Sequence, residues 1–378
     1  MRFLLLFAFC LITEFIFIES FFRYGGIISI LGWVVSFIFI LSFFVMITFF
    51  RRFYRRKSND YRIAFYACGM MIFSSVPALF YLIPGLLFLI FDNSVFAYIG
   101  WALAALIAFT IFLGIVVGRW NWKVHVISPK FDNLPDFLNG KRIVQISDIH
   151  VGSFFGNKNR VRKAIQLIND QKPDYVFFTG DLVNNTADEM DDWVDVFSEI
   201  NASQGKYSIL GNHDYGDYVA WNNEEEKRNN FEKLIRVHEK IGYVLLRNDS
   251  VELGEKTWLL GVENWGKTPF RQSGDVNKAL FGVPENDFKI LLSHDPSHFN
   301  EKIVGKTTIS LTLSGHTHGM QFGIERFGIK WSPVSFKYSK WAGLYRVSNQ
   351  FLYVNRGFGY LGFPGRVGIY PEITLIKL

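Results

Sequence analysis

The chain has 378 residues, more than one hydrophobic core usually holds, so at least two domains are predicted. Hydrophobic residues make up 49% of it, including 40 phenylalanines, and the mean hydropathy is +0.16, which argues against an ordinary soluble protein. The net charge is +6, but the 32 basic and 30 acidic residues after position 118 nearly balance, which argues against a nucleic-acid partner.

Four apolar stretches lie before residue 119, and each is long enough to cross a bilayer as a helix of ~20 residues. The third contains Pro77, Pro84 and Gly85, which predict a kink or a tilt. The first lacks a small-residue cleavage site and leads directly into the second, so a signal peptide is not favoured. We therefore predict a bundle of four transmembrane helices over residues 1–118, with spans at about 3–22, 27–50, 63–91 and 95–118.

Loop charges predict the orientation of these spans. The loop at residues 51–57 is the most basic, and Arg2, Arg119 and Lys123 fall on the same side of a four-span arrangement. The positive-inside rule then predicts an integral protein of the inner or plasma membrane whose hydrophilic domain is cytoplasmic. The hydrophilic part contains no cysteine, which is compatible with that compartment.

Two carboxylates, Glu14 and Glu19, lie within the first predicted span. Carboxylates inside a membrane are candidates for a functional role. The alternative is structural, with Glu19 pairing with Arg23 near the interface and Glu14 facing another helix. The sequence favours this structural interpretation but does not decide the role of either residue.

After a predicted linker at residues 119–140, the pattern changes to that of an α/β domain over 141–378. Short apolar runs typical of strands occur at 142–147, 175–178, 207–210, 258–261, 289–292, 310–313 and near 244. Helical patterns occur near 161–169, 190–200 and 224–241. The early alternation of strand and helix favours a parallel sheet, and the later strand-rich part favours a second, mixed sheet.

Five of these strands end in a cluster of polar residues. The clusters are Asp148-Ile149-His150, Gly180-Asp181, Gly211-Asn212-His213-Asp214, Ser293-His294-Asp295 and Gly315-His316-Thr317-His318-Gly319. Because open α/β sheets bind ligands beyond the carboxyl ends of their strands, the five clusters could converge on one crevice. Residues two apart on an extended chain point the same way, as Asp148 and His150 would, and likewise His316 and His318.

The residue types in these clusters suit a metal site. Imidazole and carboxylate ligands favour Mn, Fe, Ni or Zn over Ca. Five of the eight histidines fall in the clusters, whereas His125, His238 and His298 do not and are interpreted as ordinary structural residues. Two divalent cations held with Asp148 and Asp181 would leave about two positive charges, which suits a phosphate anion.

These motifs, in this order over residues 141–378, resemble the calcineurin-like metallophosphoesterase superfamily. The end of the chain is similar to a bacterial branch that joins this domain to N-terminal membrane spans, at Arg356-Gly357-Phe358-Gly359, Pro364-Gly365-Arg366 and Tyr370-Pro371-Glu372-Ile373. That branch includes UDP-diacylglucosamine pyrophosphatases of lipid A synthesis and many members without an assigned substrate. The resemblance implies a four-layer α/β/β/α sandwich of two mixed sheets.

The resemblance also implies roles for individual residues. One metal ion would be bound by Asp148, His150, Asp181 and His318, and a second by Asp181, Asn212, His294 and His316, with Asp181 as the bridge. His213 would protonate the leaving oxygen, and Asp214 would orient it. The two divalent ions are expected to be Mn, with Fe, Ni or Zn as alternatives. Asn184 and Asn185 are interpreted as loop residues.

Aromatic and basic residues are frequent between the last cluster and the C-terminus: Lys330, Trp331, Phe336, Lys337, Tyr338, Lys340, Trp341, Tyr345 and Arg346. Trp and Tyr favour the membrane interface, and Lys and Arg favour anionic head groups. This stretch is expected either to face the membrane and admit an amphipathic substrate, or to form an ordinary packed hairpin with a solvated face.

The resemblance implies a membrane-anchored, dinuclear metal-dependent phosphohydrolase that cleaves a phosphoanhydride or phosphodiester. A lipid-linked substrate such as UDP-diacylglucosamine is the leading hypothesis. One alternative is a phosphodiesterase of a soluble substrate, with the spans as an anchor only. Another is a non-enzymatic membrane scaffold or transporter with a regulatory metal domain. The oligomeric state is not predicted.

Overall fold

The computed structural model describes residues 2–24, 26–53 and 62–378, and the chain divides into two compact units. The first unit contains the described residues before Arg119 together with Gly362–Val367, and the second contains Arg119–Leu361 and Gly368–Leu378. The return of Gly362–Val367 to the first unit was not predicted from the sequence. Its backbone packs there, with the amide of Arg366 donating a hydrogen bond to the carbonyl of Gly114 at 3.1 Å.

Four long helices make up most of the described first unit: α1 (Arg2–Tyr24), α2 (Gly26–Phe53), α3 (Arg62–Phe91) and α4 (Ser94–Val116). Within the described residues, three stretches are long and apolar enough to cross a membrane, at Ile28–Val45, Arg62–Phe91 and Ser94–Trp120. The first predicted span, at about 3–22, coincides with α1 and stays a prediction. The orientation also stays a prediction, because residues 54–57 of the basic loop lie outside the described residues.

The two carboxylates of α1 make the contacts that the structural interpretation expected. Glu14 is buried, and its Oε1 accepts a hydrogen bond at 2.6 Å from Oγ of Ser74 on α3. Oε1 of Glu19 lies 3.5 Å from Nε of Arg23 one turn further along the helix.

The second unit is built from fourteen strands and four further α-helices over the described residues from Arg119 onward. The helices are α5 (Lys158–Asn169), α6 (Val194–Ser198), α7 (Glu224–Lys240) and α8 (Val276–Ala279). The strands are β1 (Lys123–Ile127), β2 (Arg142–Ile146), β3 (Tyr175–Phe178), β4 (Gly205–Ser208), β5 (Val244–Leu245), β6 (Asp249–Gly254), β7 (Thr257–Gly261), β8 (Phe288–Leu292), β9 (Leu311–Ser314), β10 (Ile324–Arg326), β11 (Ile329–Trp331), β12 (Gly343–Val347), β13 (Gln350–Val354) and β14 (Glu372–Lys377).

The strands form two six-stranded sheets and one small hairpin, β10–β11. The first sheet has the order β1-β14-β2-β3-β4-β5, and all its neighbours are parallel except β14 and β2. The second has the order β12-β13-β9-β8-β7-β6, parallel in the middle and antiparallel at both edges. Both sheets are therefore mixed. This corrects the expected parallel first sheet, and β1 replaces part of the predicted linker at 119–140.

Apolar side chains from both sheets meet in one buried cluster, which includes Ile143 and Phe177 from the first sheet and Ile290, Leu313 and Tyr353 from the second. Such burial explains why β3 is a continuous apolar run rather than an alternating pattern. The buried residues of α5 recur at helical spacing, at Val161, Ala164, Ile165 and Ile168. The two mixed sheets are confirmed, whereas the four-layer stacking implied by the resemblance stays a prediction.

Candidate metal centre

The predicted ligands follow the carboxyl ends of five strands, three from one sheet and two from the other. In the first sheet β2, β3 and β4 are parallel neighbours, and in the second sheet β8 and β9 are. Parallel neighbours present their carboxyl ends at the same edge of a sheet. The polar clusters after these strands are thereby brought together, as contacts between the clusters show.

Asp148, His150 and His318 form one buried group whose candidate ligand atoms all lie within 4.8 Å of one another. Nε2 of His318 is 3.2 Å from Oδ1 of Asp148 and 3.1 Å from Nε2 of His150. Two imidazole nitrogens that face each other at this distance are arranged as ligands of a common cation. The group could hold one divalent metal ion.

Asp181, His294 and His316 form a second group, with candidate ligand atoms again within 4.8 Å. Oδ2 of Asp181 lies 3.1 Å from Nε2 of His294 and 3.6 Å from Nε2 of His150, which belongs to the first group. One carboxylate oxygen thus stands between the two groups. The structure therefore brings six of the seven predicted ligands together, with Asp181 in a position that suits a bridging ligand.

The side-chain carbonyl oxygen of Asn212, the seventh predicted ligand, is suited to bind a cation. Its Nδ2 donates a hydrogen bond to the hydroxyl of Tyr218 at 2.9 Å, whereas its buried Oδ1 has no hydrogen-bond partner in the described part of the chain. An unpaired buried carbonyl is costly unless something else satisfies it. A metal ion at this position would do so.

The ring orientations of two histidines are set by backbone carbonyls that sequence patterns did not reveal. Nδ1 of His294 lies 2.7 Å from the carbonyl of Thr179, and Nδ1 of His150 lies 3.2 Å from that of Val183. In both rings Nδ1 is occupied by a backbone partner, so Nε2 is left for a metal ion. Such partners fix the tautomer of a metal-binding histidine.

His316 is held by side chains instead. Its Nε2 lies 2.9 Å from the hydroxyl of Tyr338 and 3.4 Å from Oδ2 of Asp295. The Tyr338 hydroxyl also donates to Oδ2 of Asp295 at 3.4 Å, and both residues are buried. Nδ1 is therefore the nitrogen of His316 that remains for a metal ion.

Five of the seven predicted ligands have the left-handed backbone conformation that non-glycine residues rarely adopt. They are Asp148 (φ 53°), His150 (φ 47°), Asp181 (φ 62°), His316 (φ 71°) and His318 (φ 51°). Each such residue costs on the order of 1–3 kcal/mol and persists only where the surrounding structure imposes it. Backbone strain concentrated on one set of side chains marks them as a functional site.

His213 and Asp214 lie beside the two groups, but their contacts correct one expectation. Nδ1 of His213 lies 2.6 Å from the carbonyl of Asn184, so this loop residue orients the ring. The carboxylate of Asp214 instead accepts hydrogen bonds from the backbone amides of Asp181, Leu182 and Gly211, each at 2.9 Å. Asp214 therefore holds the turn that presents Asp181 rather than the imidazole of His213.

The electrostatics of the centre suit cation binding. Burial raises the pKa of Asp148, but the adjacent His318 more than offsets this and keeps the pKa below its usual value. For Asp181 likewise, His294 and its neighbours outweigh burial and lower the pKa. Burial lowers the pKa of His316 to about 4, which leaves its imidazole neutral. Ionised carboxylates and neutral imidazoles are the protonation states that metal binding requires.

His294 differs from the other histidine ligands in its pKa. Burial lowers its pKa, but the charge of Asp181 and the contact with it dominate and raise the pKa to about 10. The raised pKa favours a protonated imidazole, whose proton would lie between Nε2 of His294 and Oδ2 of Asp181. A metal ion bound by both atoms would supply the positive charge in place of that proton.

Comparisons with known proteins indicate the same family as the sequence motifs. The family profile described as calcineurin-like phosphoesterase matches residues 141–320. The chain is similar to an uncharacterized metallophosphoesterase, YkuE, of Bacillus subtilis (strain 168), with 31% identity over 65% of this chain and 81% of the relative.

Two animal proteins named "Transmembrane protein with metallophosphoesterase domain" are also similar. The one from Danio rerio is 32% identical over 70% of this chain and 59% of its own length. The one from Bos taurus is 29% identical over 65% of this chain and 54% of its own length. The matched part of the chain thus spans little more than half of these two relatives.

Proposed function

Since the chain belongs to the calcineurin-like metallophosphoesterase family, we propose that it hydrolyses a phosphoanhydride or a phosphodiester at a centre of two divalent metal ions. It is a metal-dependent phosphoesterase, and its N-terminal region has apolar helices that could span a membrane. The observation that carries the proposal is the placement of Asp181 Oδ2 between two groups of candidate ligands.

Two divalent ions in such a centre, when bound, lower the pKa of the attacking water and clamp the oxygens of the phosphoryl group. One would be held by Asp148, His150, Asp181 and His318, and the other by Asp181, Asn212, His294 and His316. Manganese is our proposal for both, with Fe, Ni or Zn as alternatives. The ligands with left-handed backbone are held in place by the ends of two sheets, so little rearrangement is needed before binding.

We assign proton donation to the leaving oxygen to His213. Its ring packs edge-on against that of His150, with the centroids 4.9 Å apart, so it borders the first ligand group. Burial lowers the pKa of His213, and the charge of Asp181 and the hydrogen bond to the carbonyl of Asn184 offset part of this effect. Because that carbonyl accepts the Nδ1 proton, Nε2 is the nitrogen left to carry the proton for transfer. Asp214 supports this chemistry indirectly, because it holds the amides of the turn at Asp181.

The structure predicts that Tyr338→Phe weakens metal binding without removing a ligand. The variant loses only the hydroxyl that orients His316, so the affinity for one metal ion should fall by about 10–100-fold. Isothermal titration of the metal-stripped protein, or metal content after dialysis, measures this. Tyr345→Phe is the matched control, because its hydroxyl accepts from the amide of Trp341 in the same region. Equal metal affinity in both variants would contradict the role of Tyr338.

We further propose that the substrate is lipid-linked and is cleaved at the cytoplasmic face, with UDP-diacylglucosamine as the specific candidate. Only residues 117–122 separate α4 from β1, a reach of roughly 20 Å for an extended chain, so a catalytic unit tied to membrane helices stays near the bilayer. The loop charges described above support the cytoplasmic side.

Contacts divide the aromatic stretch expected to face the membrane into two parts. Trp331 and Phe336 are 46% and 85% exposed. Trp341 and Tyr338 are buried in a cluster with Val334, which corrects the expectation that Trp341 meets an amphipathic substrate. Two exposed aromatic side chains, one of them two residues before the partner of His316, support a substrate with an apolar part.

Replacing both Trp331 and Phe336 with serine should lower kcat/KM for a lipid-linked pyrophosphate by about 100-fold or more, because each aromatic contact contributes about 1.5–3 kcal/mol when buried. Turnover of a soluble chromogenic phosphodiester should stay within about twofold. Phe281→Ser is the control, since Phe281 is 89% exposed elsewhere in the same unit. Equal loss for both substrates would refute a lipid-linked substrate.

The reaction itself is tested with the purified full chain, metal-stripped and then reloaded with Mn, Fe, Ni or Zn. Lipid-linked pyrophosphates, phosphomonoesters and cyclic nucleotides are compared side by side. Metal-dependent turnover of a lipid-linked pyrophosphate is the expected result. Preference for a cyclic nucleotide would favour the soluble-substrate alternative, and no metal-dependent hydrolysis at all would favour the membrane scaffold.

A further inference from the structure

The hairpin formed by β10 and β11 exposes an apolar surface. Phe327 at its turn is 95% exposed, and Ile324 and Ile329 on the strands are 50% and 55% exposed. Trp331 ends the second strand and continues the same apolar surface. Contiguous exposed apolar side chains on a soluble surface usually mark an interaction site.

The turn of this hairpin carries an unusual residue. Arg326 pairs with Ile329, so Phe327 and Gly328 form a two-residue turn, and both have positive φ, at 55° and 78°. Turns of this kind favour Asn, Asp or Gly at the first position, because a large side chain is strained there. A fully exposed phenylalanine at a strained position stabilises nothing within the described chain.

The hairpin is nevertheless held firmly at its base. Glu325 forms an ion pair with the buried guanidinium of Arg356, whose Nε donates to it at 2.8 Å. The same guanidinium donates from Nη1 to Glu372 at 2.6 Å. The single guanidinium of Arg356 thus faces two carboxylates, and the ammonium of Lys330, on the face of Glu325, donates to the carbonyl of Ala342. Arg326 is the cation on the face that carries Ile324 and Ile329.

We propose that the β10–β11 hairpin docks on the surface of a lipid bilayer, with Phe327 among the acyl chains and Arg326 at an anionic head group. Aromatic and aliphatic side chains beside a cation are the composition that such surfaces bind. The site is distinct from the metal centre, and the proposal holds whatever substrate the enzyme cleaves.

Chain connectivity favours a bilayer over another partner. The apolar helices and the short connection after α4 confine the second unit to the neighbourhood of a membrane. The base of the hairpin also lies beside Gly368 of the same unit. Gly368 directly follows the segment Gly362–Val367 of the helical unit, and a side chain at Gly368 would collide with the carbonyl of Gly323, just before β10.

The test places an environment-sensitive nitrobenzoxadiazole dye at position 327. The full chain, with Cys10 and Cys68 replaced by serine and Phe327→Cys added, is labelled and reconstituted in nanodiscs that contain an anionic phospholipid. We expect a blue-shifted emission and severalfold quenching by doxyl-labelled phospholipids. The substitution removes an exposed, strained side chain, so folding should not suffer.

The matched control is the same dye at Phe281→Cys, a phenylalanine that is 89% exposed on the same unit. It should show neither the blue shift nor the quenching. Identical behaviour at positions 327 and 281 would overturn the proposal. So would a blue shift at 327 without quenching, because that result means contact with protein, such as a second copy of the chain. The measurement needs no hydrolysis, so its outcome is independent of the proposed function.

Discussion

Replacing His213 with alanine should lower the rate of hydrolysis by about 10²–10⁴-fold while both metal ions remain bound. The variant removes the proposed proton donor but leaves all seven candidate ligands in place. Its backbone amide still donates to Oδ1 of Asp181 at 2.8 Å, so the turn beside the metal centre should keep its shape. Steady-state kinetics and metal content of the same preparation measure the two effects separately.

His125→Gln is the control for this experiment, because His125 lies on β1, outside the five clusters. It should keep nearly full activity. The effect of the His213 variant should also shrink for a substrate with a good leaving group, such as a nitrophenyl ester, since that group needs little protonation. Full activity of His213→Ala toward a poor leaving group would show that another residue supplies the proton.

Asp181→Asn should prevent metal binding at the centre rather than only slow hydrolysis. Changes to groups that merely orient a ligand cost about 10–100-fold in metal affinity, so loss of the proposed bridging carboxylate should cost more than about 100-fold. The asparagine can still accept from the amide of His213 through its oxygen, but its NH₂ group would then face Nε2 of His294 and of His150. The NH₂ group of the asparagine would thus repel both metal ions at the position where the carboxylate oxygen of Asp181 attracts them.

The contrast with Asp148→Asn makes the bridging role measurable. Asp148 belongs to the first group only, so its variant should retain about one metal ion per chain after dialysis, whereas Asp181→Asn should retain almost none. Elemental analysis gives both values, and activity should be lost in both. Similar metal content in the two variants would contradict a bridge at Asp181.

The ligands could be predicted from the sequence because each lies in a cluster of two to five adjacent residues that follows a predicted strand. His238 and His298, interpreted as structural, are buried, and Nδ1 of each lies near a serine hydroxyl, at 2.9 Å from Ser208 and 2.8 Å from Ser293. These contacts agree with the structural interpretation, which stays a prediction.

What the sequence did not predict depends on contacts between distant parts of the chain. β1 was placed in a linker because its partner, β14, lies at the opposite end of the domain. The roles of the Asn184 carbonyl and of Tyr338 follow from the loops that bring them to His213 and His316. Trp341 has the composition of an interfacial residue, and only the packing around Val334 shows that it is buried.

The ligands with left-handed backbone conformation also affect the stability of the protein without bound metal ions. Chelation would leave the buried carboxylates of Asp148 and Asp181 balanced only by neighbouring histidines, in a turn geometry that already costs free energy. A ligand that binds only the native state adds about 2.7 kcal/mol of stability at a hundred times its Kd. We therefore expect metal removal to lower the free energy of unfolding of the chain as well as its activity.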